Sequence, residues 1–360
     1  MRNRLFLRLA LIGVFSLAGA AGWALPDLPE DLLFKWDPRI WGGDVAFGWK
    51  GWDLWPGVDT VLWASVGGGW QGNRYFSAPD DDTIVPADPD AARYNNLNVD
   101  WRFGVAQGIL FNPAQDRNLL EFLLLYRGKY HDYFDENGVL PAQEQDGLLQ
   151  HSLTAGLLFD NVSVDKPSLN SRGIYAVLSA EFAPEWLGND VLGRSDFWRL
   201  SLGVTGYQPI LDTPLVSIYL AERVLLDRLF GDQVPISALG SIGVLKKFPI
   251  GANPRRALGG TLRGIYSSRY DGLVKLTNNF DVRLHFPALT LFGLATPVAV
   301  AYFDAGLYDK MTGTLQLDAV YCTTGLGVGL YALGFDFIFY GTYFLNESRL
   351  SWELGLGTHF

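Results

Sequence analysis

The chain has 360 residues, 49% hydrophobic and 14% aromatic, with 18% charged and a formal net charge of −10. So acidic a chain argues against nucleic acid as a partner, and its charged fraction is below the roughly 25% usual in soluble domains. No internal run of about 18 apolar residues occurs, which excludes helical membrane spans, and a single cysteine, Cys322, excludes an intrachain disulfide and a cysteine-rich metal site.

Residues 1–24 read as a secretory signal peptide. Arg2, Arg4 and Arg8 form the positive region, Leu9 to Ala21 the apolar one, and small residues offer cleavage after Ala20 or Ala24. Its removal takes away three arginines and no acid, moving the net charge from −10 to −13. Residues 25–58 read as a short periplasmic lead-in with at most a short strand, its Trp41, Trp49, Trp52 and Trp55 suiting a membrane interface.

From residue 59 onward, apolar and polar residues alternate. Strands are expected near 59–71, 95–110, 117–132, 148–160, 172–184, 195–210 and 215–229, then near 272–287, 291–308, 317–331, 334–345 and 349–360. In the second, Leu97, Val99, Trp101, Phe103 and Val105 share one face and Asn98, Asp100, Arg102 and Gly104 the other. In the third, Phe122, Leu124, Tyr126 and Tyr130 alternate with Glu121, Arg127, Lys129 and His131. Charged residues between large apolar ones are the mark of strands with lipid on one side and a wet lumen on the other. Long polar connections, one of them carrying Asp80, Asp81, Asp82, Asp88 and Asp90, alternate with short turns. The expected fold is therefore all-β: a transmembrane antiparallel β-barrel at 59–360, with twelve strands. A split of 42–71, or strands within 230–260, would make fourteen or sixteen.

The longest non-strand stretch, 230–271, reverses the charge of the chain. It carries Lys246, Lys247, Arg255, Arg256, Arg263 and Arg269, with Asp271 as the only acid between Val244 and its own position. A basic, Gly-rich loop of this kind can bind anionic headgroups outside or fold back into an acidic lumen. Asp281 and Glu353, each on a polar strand face, are the lumenal candidates to receive it.

These stretches resemble a known family. LGGTLRGIYSSRYDG (258–272) looks like the signature loop of the Omp85 superfamily, and NNFDVRLHFP (278–287), with Asp281 and Arg283, is similar to the strand that follows it there. AYFDAG (301–306) matches the aromatic-x-Asp-x-Gly pattern at Tyr302, Asp304 and Gly306; TGLGVGLY and LGLGTHF match the closing strands. The resemblance implies that the loop motif Leu262, Arg263, Gly264 and Tyr266 reaches into the lumen, with Arg263 paired to Asp304. Simple alternation sets Asp304 on the side of Val298 and Val300, so a bulge or the strand end is expected there. The resemblance also implies that Trp352, Leu354, Leu356 and the terminal Phe360 present an assembly signal to the barrel-assembly machinery. Members that assemble or translocate proteins carry soluble periplasmic POTRA domains, for which residues 25–58 are too few, so a barrel-only member is expected.

Other chemistry is weakly marked. His131, His151, His285 and His359 lack metal-ligand spacing, and Gly325, Gly327 and Gly329 lie in an alternating strand without the Lys-Ser/Thr of a phosphate loop. No His shares a motif with a Ser, so no catalytic residue, metal or cofactor is expected. The expected role is non-enzymatic: insertion or translocation of protein or lipid at the bacterial outer membrane, with its lipids and an unfolded protein or lipid as partners. The alternatives are a passive channel or structural surface barrel and, more remotely, an outer-membrane hydrolase.

Overall fold

The computed structural model describes residues 31–39, 42–52, 54–75, 93–134, 140–165, 170–245, 255–256, 261–265, 272–308, 320–332 and 335–356. The signal peptide, the acidic loop at 80–90, Lys246, Lys247, Arg269, Tyr266 and Phe360 lie outside them.

The strands are β1 (Leu32–Arg39), β2 (Gly42–Trp52), β3 (Thr60–Tyr75), β4 (Arg93–Asn112), β5 (Arg117–Phe134) and β6 (Leu148–Asp160). Next come the short β7 (Ser163–Asp165), β8 (Asn170–Ala183), β9 (Asp196–Asp212), β10 (Ser217–Gln233) and the two-residue β11 (Ser241–Ile242) and β12 (Arg255–Arg256). The last are β13 (Val274–His285), β14 (Ala295–Tyr308), β15 (Tyr321–Ala332), β16 (Phe335–Phe344) and β17 (Arg349–Leu356). One antiparallel sheet runs β1-β2-β3-β4-β5-β6-β8-β9-β10-β13-β14-β15-β16-β17, with β7 paired to β8 off this path and β11 paired to β12 apart from it. All twelve expected strands are present. The path holds fourteen because residues 32–52, expected as a lead-in, form β1 and β2. Alternation in β2 explains this: Asp44, Ala46 and Gly48 are buried, while Phe47 and Trp49 on the other face are exposed.

The outer face of the sheet is apolar. Phe103, Leu124, Leu178, Trp198, Leu326, Val328 and Phe339 are among its exposed side chains. The inner face carries buried Arg102, Lys129, Glu181, Arg199, Asp227, Lys275, Asp281 and Asp304. An apolar exterior around a charged, buried interior inverts the soluble pattern and identifies a transmembrane β-barrel. The sheet wraps around an inner segment that leaves β10 and returns at β13. Leu245 of that segment packs in a cluster with Trp63 of β3 and Leu123 of β5, against which Leu33 of β1 also rests. Gly264 of the same segment bonds Glu353 of β17.

The lumen is drier than the alternation suggests. Val61, Trp63, Leu123, Leu125, Leu158 and Val177 face inward around Leu245. On the opposite side Val298, Val300, Tyr302, Ile338 and Tyr340 form a second inner cluster. Asp304 therefore needs no bulge to point inward. The β14 register is unbroken against both neighbours, and Val298 and Val300 are lumenal with it.

β17 keeps its expected faces, with Leu350, Trp352 and Leu354 exposed and Trp352 stacked on Phe339 at 5.5 Å. Leu354→Arg, opposite Phe339 in mid-strand, is expected to cost about 2–4 kcal/mol, since a lipid-facing cation near the midplane is expensive. Denaturant titration in lipid vesicles measures it. The side chain of Leu356 lies outside the described residues.

Candidate functional site: a segment clamped inside the barrel

Leu262 to Ile265 form a turn whose Arg263 is buried among the strands that follow it. Its backbone N–H and Nε each donate to Asp304 Oδ2 at 2.9 Å, and Nη2 donates to Asp304 Oδ1 at 2.6 Å. This two-pronged geometry fixes the direction of the side chain as well as its charge. Nη2 also donates to Asp281 Oδ1 at 2.6 Å. The other oxygen of Asp281 accepts from Arg283 Nε and Nη2 at 3.0 and 2.9 Å. Asp281 thus joins Arg263 to Arg283, whose Nη1 is 3.9 Å from Asp336.

The guanidinium of Arg263 lies 3.6 Å over the Tyr302 ring, a cation–π contact in a desolvated place. Tyr302 in turn lies across Gly325, where a Cβ would sit 2.6 Å from its hydroxyl oxygen, and the hydroxyl bonds Thr342. Gly264 has φ +78°, and a Cβ there would come within 2.8 Å of Thr342 Cγ2. Glycine's freedom at positive φ lets the turn pass close to β16 and turn its N–H toward Glu353 Oε2, 3.1 Å away. Leu262 and Ile265 flank the clamp in an apolar cluster with Tyr321 and Phe344. Gly306 lies between Thr277 of β13 and Tyr321 of β15. The structure thus brings Leu262, Arg263, Gly264, Asp281, Arg283, Tyr302, Asp304 and Glu353 into one assembly. Trp352 and Leu354 lie on the lipid face, away from it.

A second clamp holds the upstream end and was not anticipated from sequence. The helical turn Ile236–Leu239 and the Ser241 that follows expose carbonyls to the lumen wall. Arg199 Nη2 donates to Ala238 O and, at 3.3 Å, to Ser241 O. Lys275 Nζ donates to Ser241 O at 2.8 Å and to Asp227 Oδ2 at 3.1 Å. Asp227 lies between the two cations, 3.4 Å from Arg199 Nε. It also accepts from Ser201 Oγ at 2.6 Å and Gly243 N–H at 3.1 Å. Glu181 completes the group, 3.3 Å from Arg199 Nη1. The available signal was a charge on the inward face of each of β8, β9, β10 and β13, whose meeting at the carbonyls of Ala238 and Ser241 the sequence does not show.

The entrance of the segment is tied to the β5–β6 connection. Glu144, fully buried, accepts from Ile236 N–H at 2.8 Å and Tyr133 OH at 2.9 Å. Burial pushes its carboxyl up to about 7, against the pull of those two hydrogen bonds. A carboxyl whose folded pKa is raised stabilises fully below its unfolded value, near 4.5, and loses that contribution as pH rises through about 7. Glu144→Gln, which does not titrate, is expected to gain stability relative to the parent between those pH values; paired unfolding curves at pH 4.5 and 8 test it.

No protein-family model matches the sequence, and no curated protein matches it. Among solved structures the barrel is similar to that of BamA from Haemophilus ducreyi lacking POTRA domains 1-3, with TM-score 0.49 and 10% identity over 89% of this chain and 62% of that one. It is also similar to CdiB from Escherichia coli, with TM-score 0.46 and 12% identity over 88% of this chain and 55% of that one. The chain thus spans less than two thirds of either. At these values neither likeness bears on what the chain does.

Proposed function

We propose that this chain is an integral barrel of the bacterial outer membrane, of the type that the Omp85 resemblance implies, and that it inserts or translocates protein or lipid there without enzymatic chemistry. The observation that carries this reading is the clamp of Arg263 on Asp304 and Asp281, with the adjoining Gly264 bonded to the last described strand. It couples the inner segment to β13, β14, β16 and β17 at once, so movement of the segment would be felt by the strand nearest the end of the sheet. A resting open pore fits less well, since Val244 and Leu245 pack against the lumen wall.

In this reading residues 1–24 direct export and 25–31 lead into the barrel. Trp352, Leu354, Leu356 and Phe360 present β17 to the assembly machinery, and an unfolded protein or a lipid is the substrate. Depletion of the chain from its host tests this. The reading expects other outer-membrane barrels to accumulate unfolded, or lipid export to fail. Normal levels of folded barrels and normal surface lipid after full depletion would instead favour the passive barrel.

A further inference from the structure

One polar layer of the lumen takes no part in either clamp. On β5, Arg127 and Lys129 face inward; Lys129 stands opposite Asp100 of β4 on one side and Gln150 of β6 on the other. Leu123 and Leu125 below belong to the apolar cluster around Leu245. Tyr133 and Leu148 above belong to the apolar cluster around Ile236. The layer is therefore closed between two dry ones, and Lys129 is 4% exposed and Gln150 0%.

Several of its polar atoms lack partners. Gln150 leaves both Nε2 and Oε1 unbonded, as do Arg127 at Nε and Asn98 at Nδ2. The carboxylates within reach are engaged elsewhere. Asp100 accepts from Arg102 and Arg127, Glu181 from Arg199 and Ser152, and Glu144 from Tyr133 and Ile236. Among the described residues Lys129 makes no hydrogen bond or ion pair. The wall around it carries the cations Arg102, Arg127, Lys129, Arg199 and Lys275 against the carboxylates Asp44, Asp100, Glu181 and Asp227, which leaves one positive charge over below about pH 7, where the buried Glu144 carboxyl is protonated. Water can satisfy an amide, but it does not neutralise an ammonium sealed from bulk solvent, which is costly to bury without a counter-charge.

We propose that Lys129, Gln150 Nε2 and Arg127 Nε form a buried binding site for a small monovalent anion, a halide or a small carboxylate, that neutralises this layer of the lumen. Donors from two adjacent strands face this one layer, Gln150 directly opposite Lys129 and Arg127 two residues along the same face, and its burial between two apolar clusters favours a small ion over a bulky one.

The test uses the full-length barrel in detergent, with sodium chloride replacing sodium gluconate at constant ionic strength, at pH 6 so that Glu144 is mostly protonated. The thermal unfolding midpoint should rise with chloride in the parent, as linkage requires for an ion bound only to the folded state. The rise should vanish in Lys129→Met and weaken in Gln150→Leu, which keeps the charge and guards against a Lys129 variant that fails to fold. A parent midpoint indifferent to chloride, because water fills the layer or Lys129 is neutral, would overturn the site. So would a chloride response undiminished in Lys129→Met, or, if that variant does not fold, in Gln150→Leu.

Discussion

Arg263→Ala is expected to destabilise the barrel by about 3–5 kcal/mol, the usual cost of removing one partner from a buried ion pair. Asp304 and Asp281 are both fully buried. With the guanidinium gone, Asp304 loses both prongs of its pair and keeps only the backbone N–H of residue 263. Asp281 retains Arg283, so the greater part of the loss falls on Asp304. Tyr302 also loses the cation above its ring. Arg263→Lys should fall between the two: it restores the charge but not the two parallel hydrogen bonds. Heat-modifiable mobility on gels reads both variants, with the temperature of band conversion lowest for Ala, intermediate for Lys and highest for the parent.

Asp227→Ala should be about as damaging, and for the opposite reason of sign. Asp227 is buried between Arg199 and Lys275. Its loss leaves two cations at the carbonyls of Ala238 and Ser241 with Glu181 as the remaining carboxylate of the group. Ser201 and Gly243 lose their acceptor as well. A cost of about 3–5 kcal/mol is expected. Because this clamp holds the upstream part of the inner segment, limited proteolysis should nick the chain near 236–245 in the variant before the strands are cut. Asp227→Asn, which retains an acceptor for Ser201 and Gly243 but no charge, should be less affected than Asp227→Ala.

Much of this was legible in the sequence, for physical reasons that also set the limits. Period-two alternation is strong where bulky residues face lipid, so Leu350, Trp352 and Leu354 marked β17 and Trp198, Leu200 and Leu202 marked β9. The signal is weaker where the inward face is small, as at Asp44, Ala46 and Gly48 of β2, so residues 32–52 read as a lead-in with at most a short strand where β1 and β2 form. Alternation also misled at β14. Val298 and Val300 looked like lipid-facing residues, yet they pack inward against Ile338 and Tyr340, since a filled lumen takes apolar side chains as readily as charged ones. Asp281 and Glu353 stood out singly, as charges on polar faces, while Arg263 and Asp304 came together only through the family resemblance, since alternation set Asp304 beside Val298 and Val300. The Arg199–Asp227–Lys275 clamp did not stand out, because its members gain meaning only once β8, β9, β10 and β13 are adjacent.

The coupling of Arg263 to Asp304 is tested most directly by a double-mutant cycle in lipid vesicles, comparing the unfolding free energies of Arg263→Ala, Asp304→Ala and the double variant with the parent. If the two side chains clamp the inner segment to β14, the double variant should lose clearly less than the sum of the two single losses, by a coupling energy toward the upper end of the range of about 0.5–3 kcal/mol seen for residues in direct contact. Losses that simply add would mean that Arg263 and Asp304 do not meet in the lumen.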